Sequence, residues 1–138
     1  MLKPGDEQVL ETVAPDVFDD AIDARAAAEF LGDPRHRLAV AIEGGVVVGF
    51  VSAVLYVHPD KSVPELWINE VGVAASHQRQ GIARRLLQCT LDEARTAGCR
   101  EAWVLTDQSN RAAMQLYESS GGEPSGDHVM FTFRIKNQ

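Results

Sequence analysis

Long apolar runs are missing from this sequence, and its start has no basic, apolar leader. The first twenty residues carry Asp6, Glu7, Glu11 and Asp16 instead. A membrane-spanning helix needs about 20 consecutive apolar residues, and a secretory leader needs a positively charged start followed by an apolar stretch. We therefore expect a cytoplasmic protein that has no membrane partner.

Cysteine is scarce as well. The two cysteines, Cys89 and Cys99, are ten residues apart and lack the spacing of a metal site. The four histidines are scattered along the chain, and none of them pairs with a cysteine. We expect free thiols instead of a disulfide, and no bound metal.

Positive charge is in deficit, because 13 lysines and arginines face 20 aspartates and glutamates, for a net charge of −7. Nucleic-acid binding needs a basic surface, so this composition disfavours it. An acidic cleft would concentrate a cationic small molecule, although many cytosolic proteins are equally acidic without binding one. The 138 residues suffice for one domain with its own core, and we assign the whole range 1–138 to it.

The apolar patterning predicts a mixed α/β domain. Gly44 and Gly45 form a tight turn between two apolar segments and therefore predict a hairpin. Helical periodicity is clearest around Ile82, Leu86 and Leu87. Helices are predicted at 6–13, 24–31, 79–97 and 110–120, and strands at 37–42, 46–57, 65–73, 101–106 and 128–134. This order implies a mixed sheet covered by helices.

The most informative segment is 69–83, in which a strand carrying Glu70 is followed by a turn and by a helix start with Gln78, Gly81 and Ala83. Small residues let an anion approach the backbone. A helix start offers unpaired N–H groups and the positive end of a dipole. The segment lacks the Lys-Ser/Thr of a P-loop and the further glycines of a dinucleotide fingerprint. It therefore predicts a phosphate cradle of another kind.

A second motif lies downstream, with Asn110, Ala113 and Tyr117 followed by Gly121 and Gly122. The two motifs, in this order and with a strand between them, resemble the acetyl-CoA site of the GNAT superfamily of N-acetyltransferases. The resemblance covers essentially the whole chain. It implies the GNAT fold, a mixed and mostly antiparallel sheet flanked by helices, which splays apart at the strand that carries Glu70.

The resemblance implies acetyl-CoA as co-substrate, with its pyrophosphate at the start of the long helix. The side chains of Gln78 and Arg79 can add donors around the same anion. The residues implied as cofactor contacts are Val71, Gly72, Val73, Gln78, Arg79, Gln80, Gly81, Ile82, Ala83, Arg84, Asn110, Ala113 and Tyr117.

The resemblance also implies the chemistry. Glu70 is the candidate general base for the acceptor ammonium, and Tyr117 is the candidate general acid for the departing thiolate. Backbone N–H groups around Val71 to Val73 would polarise the acetyl carbonyl. Without the two motifs, Glu70 would be interpreted as the outward residue of a half-exposed strand, and Tyr117 as core packing.

Members of this superfamily usually open with a strand before their first helix. The segment 1–3 is too short to be more than a stub of that strand, so this edge of the sheet stays open in the prediction. Homodimers are common among such proteins, and a homodimer is implied here only by that resemblance.

Within the superfamily, the chain most resembles the aminoglycoside 3-N-acetyltransferases. The shared features are the acid at Glu70, the run 77–83, the acid at Asp107 after an apolar strand, and Tyr117. This implies an antibiotic-resistance enzyme that acetylates the 3-amino group of a polyamino sugar.

The resemblance gives Glu70 and Asp107 as contacts to the substrate amines, while Asp60 and Glu65 are added for their charge and location alone. Other acceptors stay open, because acceptors vary widely on this fold. They are another small amine, such as a polyamine or an amino acid, and a protein amine. A chain that binds acyl-CoA as a sensor without catalysis is the alternative from a different class.

Overall fold

The computed structural model describes residues 1–137, which form a four-stranded sheet with helices on both faces. The strands are β1 (His36–Glu43), β2 (Val46–Tyr56), β3 (Glu65–Val73) and β4 (Ala102–Val104), in that order across the sheet. β1, β2 and β3 are antiparallel neighbours, whereas β4 runs parallel to β3. The predicted mixed and mostly antiparallel sheet is confirmed.

A two-residue turn joins β1 to β2. Gly44 and Gly45 have φ angles of 58° and 79°, the left-handed values that a type I′ turn requires at both of its central positions. Glu43 pairs directly with Val46 on either side of the turn. The predicted hairpin is therefore confirmed, together with the glycine pair that makes it.

The helices are α1 (Ala24–Gly32), α2 (Ile82–Thr96) and α3 (Arg111–Ser119). α2 begins three residues later than predicted. Arg79 and Gly81 have φ angles of 62° and 76°, so neither residue can belong to a right-handed helix. Residues 78–81 therefore form a loop in front of α2 instead of its first turn.

α2 lies across β1, β2 and β3 and buries an apolar stripe against them. A Cβ atom at Gly49 of β2 would lie 3.1 Å from Cγ2 of Ile82 and 3.2 Å from Cδ1 of Leu86, so this glycine lets the helix approach the sheet closely. The buried residues of the stripe are Ile82, Leu86, Leu87, Thr90 and Ala94. This stripe confirms the helical periodicity seen in the sequence.

The other face of the sheet is covered by α1 and by the segment before it. An α-helix was predicted at 6–13, and this prediction is wrong: Glu7–Glu11 is a short 3₁₀ helix. The chain then extends and bonds to β2. The N–H of Ala14 donates to the carbonyl of Val47 at 2.9 Å, and the N–H of Val47 donates to the carbonyl of Thr12 at 2.9 Å. Thr12 is extended, with a φ of −124° and a ψ of 100°, so the helix cannot continue through it.

Aromatic packing fixes the segment that follows. The ring of Phe18 stacks on that of Phe50 of β2, with centroids 4.0 Å apart and an interplanar angle of 21°. The neighbouring Val17 is only 4% exposed. At the chain start, Leu2 donates one backbone hydrogen bond of 2.8 Å to Leu38 of β1, and residues 1–3 form no strand.

β3 carries a bulge at Asn69. Ser52 of β2 pairs with Glu70, and the next residue of β2, Ala53, pairs with Ile68. Asn69 therefore has no partner on β2, and the alternation of side chains along β3 reverses at this point. Ile68 pairs with Ala53, which lies on the same side of β2 as Gly49 and therefore faces α2, whereas Glu70 is directed towards α1.

The strands β3 and β4 separate near the same point. β4 pairs with Leu66, Trp67 and Ile68 only, and it is shorter than the predicted strand 101–106. Residues 69–73 of β3 have β2 on one side and no strand on the other within residues 1–137. The sheet therefore splays open beside Glu70, as the resemblance implied.

The prediction of a final strand at 128–134 is wrong. These residues form no strand, and β4 is the last strand of the sheet within the described part of the chain. Phe131 and Phe133 are 80% and 82% exposed. The alternation of apolar side chains is present in the sequence, but no neighbouring strand supplies the ladder that a strand requires.

Candidate functional site

The loop between β3 and α2 is the predicted phosphate cradle, and two of its residues have left-handed backbone angles. Arg79 and Gly81 both adopt left-handed φ angles, 62° and 76°. Arg79, Gln80 and Gly81 are exposed. In other proteins, successive N–H groups of turns with left-handed residues form concave anion sites. The loop leads directly into α2, whose N-terminus adds the positive end of its dipole.

The N-terminus of α2 is uncapped, in contrast to those of α1 and α3. The side chain of Asp23 accepts a hydrogen bond of 2.8 Å from the N–H of Ala26 in α1, and that of Asn110 accepts one of 3.1 Å from the N–H of Ala113 in α3. Gly81 precedes α2 and provides no side-chain acceptor. The first N–H groups of α2 therefore lack the protein acceptor that the other two helices have.

Side chains around the cradle hold it against the sheet. Nε2 of Gln78 donates to the carbonyl of Val73 at 3.3 Å. Nε2 of His77 pairs with Oε2 of Glu43 at 2.7 Å, and its Nδ1 lies 2.7 Å from Oγ of Ser76. These contacts fix the turn between β3 and the cradle to the end of the β1–β2 hairpin.

Arg84, predicted among the cofactor contacts, makes a different contact in this structure. Its guanidinium donates to the carbonyl of Ser119 at the end of α3, at 2.7 Å. A cation is favourable at a helix C-terminus, so this bond ties α2 to α3. Ile82 and Ala83 follow Gly81 in the first turn, where Ile82 is buried in the core and Ala83 is half-buried.

Glu70 lines a cavity of about 360 Å³ on the face of the sheet opposite α2. The apolar wall of the cavity includes Phe18, Phe30 and Phe50, and Ser52 lies beside Glu70 across the β2–β3 ladder. Three further acids, Asp19, Asp20 and Asp23, line the same cavity. An adjoining cavity of about 670 Å³ shares the segment 18–22 with it and adds Glu7, Glu11 and Asp16. Glu70 thus faces an acidic cleft with an aromatic wall.

Gly72 explains how this cleft is held in place. A Cβ atom at residue 72 would collide with the carbonyl oxygen of Val17 and would lie 2.6 Å from Cε1 of Phe50. Only glycine therefore lets the backbone that leads to Asp19 and Asp20 lie directly on β3. The close approach at Gly72 is thus made by a segment of the same chain.

Two of the predicted substrate contacts lie outside this cavity. Glu65 is at the start of β3, where its carboxylate accepts from Lys61 at 3.5 Å and pairs with His58 at 3.2 Å. The His58 hydrogen bond, followed by the charge of Lys61, lowers the pKa of Glu65. Asp60 is exposed in the loop before β3, and neither acid is among the cavity-lining residues. The acidic wall is instead built by Asp19, Asp20 and Asp23.

The remaining predicted substrate contact, Asp107, lies beyond the end of the β3–β4 pairing. It follows β4, which runs parallel to β3 and pairs with it up to Val104 and Ile68. Both chains therefore pass beyond this pair in the same direction, towards Glu70 on β3 and towards Asp107 after β4. Asp107 is exposed and does not line the Glu70 cavity.

The second motif forms α3 and its flanks. Tyr117 is half-buried and packs against the core, and burial raises the pKa of its phenol. The helix ends after Ser119, where the N–H of Gly122 donates to the carbonyl of Tyr117 at 2.9 Å and Gly121 has a φ of 94°. The N–H of Ala113 donates a hydrogen bond to the side chain of Asn110, which caps α3. The N–H of Ala113 is therefore committed to its helix.

Sequence reasoning missed the acids at Asp19, Asp20 and Asp23. The signal available was the run Asp19–Asp23, in which three acids stand just before a helix start. Such a run is ordinarily an exposed turn and a helix cap, and Asp23 does cap α1.

Among residues 1–137, no group of three or more His, Cys, Asp or Glu is arranged to hold a metal ion. No helix in this part of the chain has the length and apolar character needed to cross a membrane.

The chain is similar in sequence to known acetyltransferases. The chain matches the model of the Acetyltransferase (GNAT) family over residues 7–121. N-acetyltransferase 8 of Rattus norvegicus is 31% identical over 101 residues, which are 73% of this chain and 46% of that protein. The chain thus spans about half the length of the curated relatives that it matches.

Two solved structures share the fold at lower identity. An aminoglycoside acetyltransferase from an uncultured soil metagenomic sample, in complex with sisomicin, has a TM-score of 0.77 and 21% identity, covering 85% of this chain and 77% of its own. The aminoglycoside N-acetyltransferase AAC(6')-Iy, in complex with CoA, has a TM-score of 0.70 and 23% identity, covering 81% and 76%. The shared fold and the match to the family model over most of the chain show that it belongs to the Acetyltransferase (GNAT) family.

Proposed function

We propose that this chain transfers the acetyl group of acetyl-CoA to an amine of a cationic small molecule, with an aminoglycoside as the acceptor. The observation that carries the proposal is the position of Glu70. This acid lines an acidic cavity on one face of the sheet and lies beside the point where β3 and β4 separate. A thioester entering between the separated strands would meet an amine held in that cavity.

The cofactor part of the proposal rests on the loop at residues 78–81, which is the predicted cradle, and on the first turn of α2 at residues 82–84. Its left-handed residues, its exposed Arg79 and the uncapped first turn of α2 suit a pyrophosphate, which needs several N–H donors and a positive field. Family membership and the CoA bound to AAC(6')-Iy support acetyl-CoA as the donor. The predicted contacts Val71, Gly72 and Val73 lie on the part of β3 that has no neighbouring strand on one side.

The proposed reaction proceeds by direct transfer. Glu70 takes a proton from the acceptor ammonium, directly or through a water molecule, and the neutral amine attacks the thioester carbon. Backbone N–H groups on the free side of β3 stabilise the oxyanion of the tetrahedral intermediate. Collapse breaks the carbon–sulfur bond, and Tyr117 gives its phenolic proton to the leaving thiolate. The attacking nitrogen loses its second proton, which passes through solvent and restores the Tyr117 phenol. The Tyr117 phenol is protonated at neutral pH, as this role requires, because its ordinary pKa is about 10 and burial raises that pKa further.

The acceptor part rests on the charge of the cavity. Asp19, Asp20 and Asp23 stand near Glu70 in a cleft that also has aromatic walls, so the cleft suits a ring-shaped molecule bearing several ammonium groups. The sisomicin complex of the metagenomic enzyme supports an aminoglycoside. Acetylation at the 3-amino group is the finer part of the proposal, since the name of AAC(6')-Iy refers to a different position.

The test is a thiol-release assay with acetyl-CoA and a panel of acceptors, followed by NMR of the product. We expect turnover with aminoglycosides and a new acetamide on the 3-amino group. Better turnover with spermidine, an amino acid or a peptide amine would replace the aminoglycoside but keep the acetyl-CoA chemistry. Tight binding of acetyl-CoA without turnover of any acceptor would identify a sensor and overturn the proposal.

A further inference from the structure

The two tryptophans of this chain lie side by side on neighbouring strands. Trp67 of β3 pairs with Trp103 of β4, and their rings stack with centroids 5.0 Å apart and an interplanar angle of 11°. Trp67 is half-buried, and Trp103 is 37% exposed. Indole rings offer large apolar faces, so a stacked pair that reaches the surface is a candidate binding site. We call Trp67 and Trp103 the tryptophan platform.

The tryptophan platform faces the same side of the sheet as Glu70. Trp67 pairs with Val54, and Glu70 pairs with Ser52. Val54 and Ser52 are two residues apart on β2, so their side chains share one face, and the residues paired with them share that face as well. Two residues of a strand span about 7 Å, so the platform begins a short step along the sheet from Glu70.

The platform and the larger acidic cavity lie in opposite directions from Ser52 along β2. The cavity of about 670 Å³ includes Val13, which pairs with Val47 near the start of β2. The platform lies beside Val54, towards the other end of the strand. Neither tryptophan lines either cavity. A molecule with several rings that is held at Glu70 can therefore extend over the platform on one side while its other side stays among the acids.

An indole face suits a cationic sugar ring. The π-electrons of tryptophan attract an ammonium group, more strongly than those of tyrosine or phenylalanine. The same apolar face packs against the C–H groups of a saturated ring. In an aminoglycoside such as sisomicin, further rings flank the central ring that carries the 3-amino group, so one of them is available to the platform when the central ring is at Glu70.

We propose that the tryptophan platform is a second acceptor subsite, in which a cationic sugar ring lies on the indole of Trp103 while the amine to be acetylated is held at Glu70. This inference rests on the proposed function, and it adds the reason why the chain would prefer an acceptor of several rings. A single-ring amine would occupy the Glu70 cavity alone and would gain nothing from the tryptophans.

Tryptophan emission reports on the platform directly, because the chain has no tryptophan outside it. The full chain is titrated with sisomicin, and quenching of the emission by acrylamide is measured at each step. We expect sisomicin to protect the tryptophans from acrylamide in a saturable way. The single-ring diamine 2-deoxystreptamine, which corresponds to the central ring alone, is the control ligand and should leave the quenching unchanged.

Kinetics with the same two acceptors measure the contribution of the indole. Trp103→Leu should raise KM for sisomicin about 2- to 30-fold more than KM for 2-deoxystreptamine, because only sisomicin loses a contact with an aromatic face. Trp103→Phe is the matched control, since it also removes the indole but keeps an aromatic ring, and it should recover most of the preference for sisomicin. Circular dichroism checks that both variants are folded.

The outcomes separate this subsite from the proposed function. Acetylation of sisomicin without protection of the tryptophans would overturn the subsite and leave the proposed function in place, as would an equal ratio of the two KM values in Trp103→Leu and wild type. Protection without acetylation would support the subsite and overturn aminoglycoside acetylation. Emission that acrylamide cannot quench in the free protein would mean that another part of the chain or a second copy covers the platform, and it would overturn the subsite.

Discussion

Ile68 and Glu70 lie two residues apart on β3 and yet face opposite sides of the sheet, because the ladder with β2 skips Asn69. A regular strand would direct both side chains towards α2, where the core is apolar and an unpaired carboxylate is costly. The bulge turns the carboxylate into the acidic cavity instead. Glu70 also lies just beyond the last β3–β4 pair, Ile68 with Val104, where the two strands separate.

Replacing Glu70 with glutamine should slow acetylation and leave acetyl-CoA binding intact. Glutamine keeps the size of the side chain and removes the base, and general-base help is worth about 10²–10⁴-fold. The loss should be largest at pH values where the acceptor amine is protonated. Steady-state kinetics across pH and calorimetry with acetyl-CoA measure the two effects.

Glu101→Gln is the control for charge alone, because Glu101 is exposed beside β4 and does not line the cavity. It should leave turnover unchanged. A loss of only a few-fold in Glu70→Gln at every pH would remove Glu70 from the base role and leave the proton to water or to the substrate.

Replacing Gly81 with alanine should weaken acetyl-CoA binding through the backbone. No atom lies within 4 Å of a Cβ at this position, so the effect expected is strain at a φ of 76° and not a collision within the protein. Left-handed φ costs a non-glycine residue about 1–2 kcal/mol, and relaxation of this strain would reorient the N–H groups of the cradle.

Gly98→Ala provides the matched control, because Gly98 follows the other end of α2 with a φ of 87° and equally open space. Both variants should lose similar stability in thermal melts, and only Gly81→Ala should lose affinity for acetyl-CoA in calorimetry. Equal affinity in the two variants would locate the pyrophosphate elsewhere.

Replacing Tyr117 with phenylalanine should lower turnover while acetyl-CoA affinity stays similar. The ring that packs against the core is kept, and only the hydroxyl that would protonate the thiolate is lost. Tyr56→Phe is the control, since Tyr56 lies at the exposed end of β2. Equal turnover of Tyr117→Phe and wild type would assign Tyr117 to packing alone.

Alkaline unfolding reports on Tyr117 separately. Burial raises the pKa of its phenol in the folded state, so the unfolded chain releases this proton first as the pH rises. The resulting stability is complete below about pH 10, the ordinary phenol value, and is lost as the pH rises through the folded pKa. Urea unfolding of wild type should therefore weaken more steeply above pH 10 than that of Tyr117→Phe.

Neutralising the acids of the cavity should weaken acceptor binding more than catalysis. In the double variant D19N/D20N, two charges that line the Glu70 cavity are removed while Asp23 still caps α1. We expect KM for an aminoglycoside to rise with kcat nearly unchanged, which is the mark of lost uniform binding. The wild-type kcat/KM should also fall as salt rises, because salt screens exposed charges.

Asp60→Asn is the control, since Asp60 is outside the cavity. If it raised KM as much as D19N/D20N does, the acceptor would sit towards the start of β3. Asp107→Asn tests the remaining predicted contact in the same assay, and an unchanged KM there would leave the cavity acids as the acceptor site.

Local sequence patterns were enough for most of the regular elements. The Gly44–Gly45 turn, the stripe from Ile82 to Ala94 and the strand 65–73 are each encoded within a few neighbouring residues, through turn geometry or side-chain period. The order of the two motifs led to the family in the same way, because both are short and contiguous. The predicted mixed sheet and the resemblance to the GNAT superfamily were therefore confirmed.

Tertiary structure decided what depends on pairing between distant segments. The bulge at Asn69 exists only as a register against β2, and the acids beside Glu70 come from a segment some fifty residues earlier that Gly72 allows to lie on β3. The helix predicted at 6–13 is replaced by a short 3₁₀ helix that ends at Glu11, because the chain becomes extended at Thr12 where it bonds to Val47 of β2. Apolar side chains recur at every second position in residues 128–134, as in a strand, but these residues pair with no other strand. The alternation is a local property of the sequence, whereas a strand also needs a hydrogen-bonded neighbour.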